Sequence, residues 1–336
     1  MKRLPGLIVL AGMLLLSGCY PAFVFEMEGL EPAELTVSSS ISTIAVISRM
    51  DLDSLQKVVI NQAGKKSTFD RDSSIAKEGV LGCVDELLES PRFEVFNPIV
   101  KRNLVGEFTD PARPLPWTSI REAAGDPPLD AVLSLEGCNY RDTVTTSVAE
   151  FWVTHTYLLI CKTHWRLYDL KTYQFKDVVF SDTTTIDLGQ DPALNKSASE
   201  KIDIVKQRMY WAGRNTGRRF APYWTELERI YFPYGPGDFY LGARYMREGN
   251  WTEAAAIWDL FMEIRNKTAT AKACFNMAVT CELAGEIVLA QEWLDKSEKL
   301  GMPEYYIQDY AKQLKERAKK IQLLDLQMKQ EAVPDE

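Results

Sequence analysis

Hydrophobic positions follow three patterns along this chain, and each predicts a different element. Short β-branched runs at Ser42–Ser48, through Ile44, Val46 and Ile47, and at Ala131–Leu135 read as buried strands, because branched side chains pack well on a pleated surface. Val80, Leu81, Val84, Leu87 and Leu88 recur at three-to-four spacing and predict a helix over Ser73–Glu89, stopped by Pro91. Arg92–Phe96 follows as a strand, so strand, helix and strand make one crossover unit. Longer segments rich in Thr, Val, Tyr and Trp, Phe151–Tyr168 and Tyr173–Asp182, flank a turn at Asp169–Thr172 and predict an antiparallel pair. Ile202, Val205, Met209 and Ala212 mark one side of a helix over Ala198–Arg219. Polar residues 51–72 read as a loop, as does Thr109–Pro128 with five prolines, a density that no sheet interior tolerates. Tyr20–Leu35 reads as a tether.

Beyond residue 222 the period changes to helical throughout. Tyr223–Tyr231 predicts a short helix and Tyr305–Gln327 a long one with Ile307, Tyr310, Leu314 and Ile321 as its stripe. Between them the chain repeats itself. Setting Gly249 on Gly285 places Leu241 on Met277, Gly242 on Ala278, Tyr245 on Cys281, Ala254 on Ala290 and Trp258 on Leu294. A period of 36 residues with small residues at Gly242, Ala278, Ala254 and Ala290 resembles the tetratricopeptide repeat, a pair of antiparallel helices about 34 residues long. In that family the first helix of each unit lines a concave surface that holds peptides or partner helices. The resemblance therefore implies partner binding by Phe239, Tyr240, Ala243, Met246 and Arg247 from the first unit, and by Lys272, Phe275, Asn276, Val279 and Glu282 from the second. The fold class expected is α+β: an N-terminal α/β sandwich-like domain with a mixed sheet over 41–222, then an all-α tetratricopeptide-like array over 223–331 and a short tail over 332–336.

The first twenty residues carry a different signal. Lys2 and Arg3 precede an apolar run from Leu4 to Leu16, which ends in Leu16-Ser17-Gly18-Cys19. This order resembles a bacterial lipoprotein signal, with residues 1–18 as leader, Cys19 as the lipidated first mature residue and 19–40 as tether. The run is too short for a membrane span, which needs roughly 20 apolar residues. Leu30-Glu31-Pro32-Ala33, Trp165-Arg166-Leu167-Tyr168-Asp169, the Trp251–Trp258 segment and Phe275-Asn276-Met277-Ala278 are similar to a family of Bacteroidota lipoproteins that carries no assigned activity. That resemblance implies an outer-membrane position facing the periplasm. Asp53-Ser54-Leu55, Asp142-Thr143-Val144 and Asp182-Thr183-Thr184 resemble the O-glycan acceptor sequence of that phylum. The early strand and Phe93–Phe96 are also similar in pattern to envelope lipoproteins of the curli-secretion type, which suggests a subunit of an envelope assembly.

Charge and chemistry narrow the function. The formal charge is -8, and it becomes more negative once Lys2 and Arg3 leave with the leader, which argues against nucleic acid as a partner. Five cysteines remain beyond Cys19, an odd number in a compartment that permits disulfides. Cys274 and Cys281, seven apart on one helix, are about 10 Å apart and pack as core; Cys138 and Cys161 are either a cross-strand bridge or free buried thiols. His155 and His164 point to opposite faces of one strand, and no metal, cofactor or nucleophile motif is present. The reading is a non-enzymatic, lipid-anchored envelope adaptor that binds a protein or peptide. The alternative is a carbohydrate binder or carbohydrate-active enzyme using the aromatics around Trp152, Tyr157 and Trp165.

Overall fold

The computed structural model describes residues 22–49, 57–58, 69–70, 73–95, 113–125, 129–149, 152–189 and 198–329. Within the segment expected as a loop over 51–72, Lys57–Val58 and Phe69–Asp70 instead pair as two short antiparallel strands, while the leader, Cys19 and the Asp53-Ser54-Leu55 acceptor lie outside the described residues. Nine strands occur among them: β1 Phe23–Glu31, β2 Thr43–Ser48, β3 Lys57–Val58, β4 Phe69–Asp70, β5 Glu94–Val95, β6 Ala131–Ala149, β7 Trp152–Asp169, β8 Gln174–Gly189 and β9 Tyr223–Tyr231. The helices are α1 Ser73–Glu89, α2 Trp117–Ala124, α3 Ala198–Phe220, α4 Phe239–Arg247, α5 Trp251–Asp259, α6 Lys267–Leu283, α7 Ile287–Lys299 and α8 Glu304–Met328. Two compact units result. One holds Leu30–Trp224 and the chain from Leu323; the other holds Thr225–Gln322 and the residues up to Gly29. The fold is α+β, with a mixed sheet followed by helices, as the pattern predicts.

The first unit is a five-stranded sheet in the order β5-β2-β6-β7-β8. β2 runs parallel to both β5 and β6, while β6, β7 and β8 are antiparallel neighbours. Alternation along β2 explains its burial on both faces. Ile44 and Val46 join the core under α1, with Leu133, Leu135 and Trp165; Ala45 and Ile47 join a second core with Ile120 and Ala124 of α2, Val132 and Tyr168. A third core, of Tyr157, Leu159 and Cys161 with Val205 and Met209, seats α3 on the longer strands.

α1 and α3 meet backbone to backbone. A Cβ on Gly82 would lie 1.9 Å from the Tyr210 carbonyl oxygen, and one on Gly213 would lie 2.0 Å from that of Gly79. Only glycine permits this approach. Charges flank the seam: Glu86 accepts from Arg214 Nε at 2.5 Å and from Arg218 Nε at 2.9 Å, and Arg214 also pairs with Glu89.

The second unit contains the four helices α4 to α7. Gly249, Gly285 and Gly301 end α4, α6 and α7 with φ of 76°, 84° and 90°. Each stop is closed alike, the next N–H donating back to a carbonyl of the last turn: Asn250 to Tyr245, Glu286 to Cys281 and Met302 to Ser297. This is the left-handed helix stop that glycine takes cheaply. A Cβ at Gly242 would come within 2.7 Å of the Trp258 ring, so that small residue seats α5 against α4. α6 is buried almost all round, from Ala269 to Glu282, which makes it the centre of the core.

Several expectations are corrected. Tyr223–Tyr231 is a strand, not a short helix, and Phe23–Glu31 is a strand where a tether was expected; together they form a two-stranded ribbon. Burial alternates along both, since Phe25, Met27 and Gly29 turn one way while Glu26 and Glu28 turn to solvent. Trp117–Ala124 is a helix inside the proline-rich segment, begun after Pro116, whose fixed φ of -59° suits a helix start. Cys138 and Cys161 are both free thiols: Cys138 faces Thr163 across the ladder, and Cys161 faces Tyr140.

Candidate functional site

The ten positions expected to bind a partner do not form one open face. Phe239, Ala243, Met246, Phe275, Asn276, Val279 and Glu282 are buried, and Lys272 is half-buried. Only Tyr240 and Arg247 stand in solvent. The expectation of an open concave groove is therefore corrected for eight of these residues.

What fills the groove is the chain itself. β9 runs out into Phe232, a fully buried side chain that packs edge-on against Phe275 at 5.2 Å and Tyr306 at 5.1 Å. Asn276 clamps the backbone of that residue: the Phe232 N–H donates to Oδ1 at 2.8 Å, and Nδ2 donates to the Phe232 carbonyl at 2.7 Å. Both polar groups of one peptide residue are thus satisfied by one amide side chain, as a bound peptide's would be. Six residues further along α6, Glu282 takes a forked pair from Arg229 at 2.7 and 2.6 Å, and Tyr310 of α8 donates to it at 2.9 Å. Burial, reinforced by the Glu282 charge and this bond, pushes the Tyr310 hydroxyl pKa well up. Lys272 sits 5.9 Å over the Phe232 ring. Asn276, which the repeat resemblance places on the inner face, thus holds a segment of its own chain.

An exposed stripe remains on α4. Tyr240, Arg244 and Arg247 fall at i, i+4 and i+7 and are all exposed, with Glu248 the carboxylate at 3.5 Å from Arg244. Tyrosine and arginine are the residues most enriched where binding energy concentrates. Arg244 is the one the sequence reading missed; counting four on from Tyr240 finds it.

A second polar cluster lies on the sheet of the other unit, at the carboxyl end of the parallel strands. Because β5 and β6 flank β2 and are reached over opposite faces, the strand order switches beside β2, where open α/β sheets form their crevice. There β6 carries a bulge between Leu135 and Gly137 that turns the extra residue, Glu136, away from the α1 core. Its carboxylate accepts from Arg49 at 2.8 Å, Arg166 at 3.4 Å and the Tyr168 hydroxyl at 3.4 Å. Arg166 continues to Asp177 at 2.6 Å, and Asp177 to His164 at 2.9 Å. Burial opposes the charge on both, yet these bonds outweigh it: the Arg166 pKa is raised and the Asp177 pKa lowered. Glu136 is buried and saturated, so this cluster locks the bulged strand instead of presenting an acid to a substrate.

The remaining candidates are placed as follows. Trp165 and Tyr157 are core residues, so their rings are closed to a sugar, and the Trp152 side chain lies outside the described residues. His155 is buried beside Thr146, and His164 belongs to the cluster above. Among the described residues, no group of three His, Cys, Asp or Glu is arranged to hold a metal, and no helix is long and apolar enough to cross a membrane. Thr143 and Thr183 are exposed on β6 and β8.

Two family models match this chain. The first, described as "Domain of unknown function (DUF8603)", covers residues 41–232, more than half of the chain. The second, "Domain of unknown function (DUF6340)", covers residues 240–316. No curated protein matches.

Proposed function

The chain belongs to the family of DUF8603, and within it we propose a lipid-anchored adaptor of the bacterial envelope, held by acyl chains on Cys19 and docking a partner protein through its helical unit. Two tetratricopeptide-like hairpins make the frame. Their inner face is closed by the protein's own segment 229–232, so docking belongs to the exposed α4 stripe of Tyr240, Arg244 and Arg247. The observation that carries this reading is the Asn276 clamp on Phe232: it removes the usual peptide groove and leaves that stripe as the open part of the first helix. The stripe's chemistry suits an acidic segment of the partner, an aromatic ring flanked by two guanidiniums. An outer-membrane position facing the periplasm completes the proposal.

The test is crosslinking in intact cells, read by mass spectrometry. The wild-type chain gives a recurrent crosslinked protein, and the double reversal Arg244→Glu with Arg247→Glu loses it while the melting temperature stays within a few degrees. The adaptor reading fails if the partner pattern is unchanged by the reversal, or if no recurrent protein is captured.

A further inference from the structure

A cleft of about 500 Å3 opens in the α/β unit beside the β7–β8 turn, lined by Arg121, Leu129, Asp130, Leu170, Lys171 and Tyr173. We propose that it binds a small organic carboxylate, with the anion on Arg121 and the carbon skeleton against Leu129, Leu170 and the Tyr173 ring. The volume lies in the range of small-ligand sites, which join apolar lining with a few placed polar groups.

Three observations converge on this assignment. The first is the state of the charges. Lys171 is neutralised, bonding to Asp130 at 3.0 Å and to the Ser40 carbonyl. Asp130 is saturated in turn, taking the Ser42 N–H at 2.8 Å, the Ser42 hydroxyl at 2.7 Å and the Thr43 N–H at 3.0 Å. Arg121 is different: its guanidinium lies 4.9 Å over the Tyr173 ring, and no carboxylate among the described residues pairs with it. Among the described residues lining the cleft, Arg121 is therefore the one cation without a carboxylate partner.

The second is Tyr173 itself. It has φ of 54°, the one positive value on a non-glycine residue among the described residues. The turn is built by Asp169, whose Oδ1 accepts the N–H groups of Lys171 and Thr172, and its last position calls for glycine or asparagine. A tyrosine there is costly, and such strain gathers where a side chain serves a site.

The third is preorganisation. Trp117 meets Tyr173 edge-on at 5.3 Å and Tyr168 at 5.7 Å, so the ring under Arg121 is braced by the buried face of the sheet. A guanidinium resting on an aromatic plane keeps its N–H edge free for a forked pair with a carboxylate.

The experiment is calorimetric titration of the full-length chain in nonionic detergent with four probes: benzoate and its neutral isostere benzamide, and glucuronate and its neutral counterpart glucose. At least one acid is expected to bind about ten-fold tighter than its neutral counterpart, and which acid does so separates aromatic acids from sugar acids. Arg121→Gln should weaken that acid about ten-fold. Tyr173→Asn, which suits the left-handed turn, should weaken it as well while the fold persists. Absence of saturable binding by both acids, or equal affinity in wild type and Arg121→Gln, overturns the proposal.

Discussion

At the residue scale, the behaviour of five side chains follows from what surrounds them. Asn276 answers both backbone groups of Phe232 in a dry core, so Asn276→Ala strands a donor and an acceptor. Each unsatisfied buried group costs about 1–3 kcal/mol, and chemical denaturation should show Asn276→Ala less stable by about 2–4 kcal/mol. Asp130 makes a pH prediction. Burial disfavours its charge, but the donors of Ser42, Thr43 and Lys171 prevail and hold its carboxyl well below the usual carboxylate range. A depressed folded-state pKa contributes stability that is present above the unfolded value, about 3.9, and lost as pH falls below it towards the folded value. Acid titration of stability should therefore fall less steeply in Asp130→Asn than in wild type; equal slopes would contradict the assignment. The thiols behave alike: burial raises Cys161, Cys274 and Cys281 to about 11. Alkylation at pH 8 is expected to be slow until denaturant is added.

At the element scale, what was legible depended on whether one period dominated. α1, α3 and α8 show helical spacing from within, and β2, β7 and β8 are rich in strand formers, so their places were readable. β9 was not. Its buried positions include Arg229, matched to Glu282 across 53 residues of sequence, and a charged residue inside a strand hides the period of two. β1 was equally hidden, because its partner lies near residue 230 and no local signal names it. The glycines of α1 and α3 carry no hydrophobic signal of their own, yet the structure uses them as the contact itself. Gly82→Ala and Gly213→Ala should each destabilise by more than the usual 1–3 kcal/mol of overpacking, since the obstructing atoms belong to backbone. The bulge at Glu136 makes a parallel prediction: Glu136→Gln leaves two buried guanidiniums facing a neutral amide. Breaking such a pair costs about 3–5 kcal/mol, and a loss under 1 kcal/mol would show that the network is incidental.

At the scale of the whole molecule, the sequence revealed that helices repeat every 36 residues but not that the chain would plug its own groove. The repeat resemblance placed Asn276 and Lys272 on the inner face, and the capacity of an amide to hold a peptide backbone was readable from residue type. That the clamped segment lies in the same chain depends on where β9 ends, a tertiary fact with no local mark. The proposed anchor makes a separate prediction. Cys19→Ser should abolish incorporation of labelled palmitate and move the protein from the membrane fraction to the soluble fraction.

The most direct test of the docking account places a photo-crosslinking amino acid at position 240 in one strain and at position 272 in another. The account predicts a discrete partner crosslink from 240 and, from 272, only internal crosslinks to the segment around Phe232. A partner captured from 272, with 240 silent, would mean that the inner face opens in the cell, and it would contradict the account.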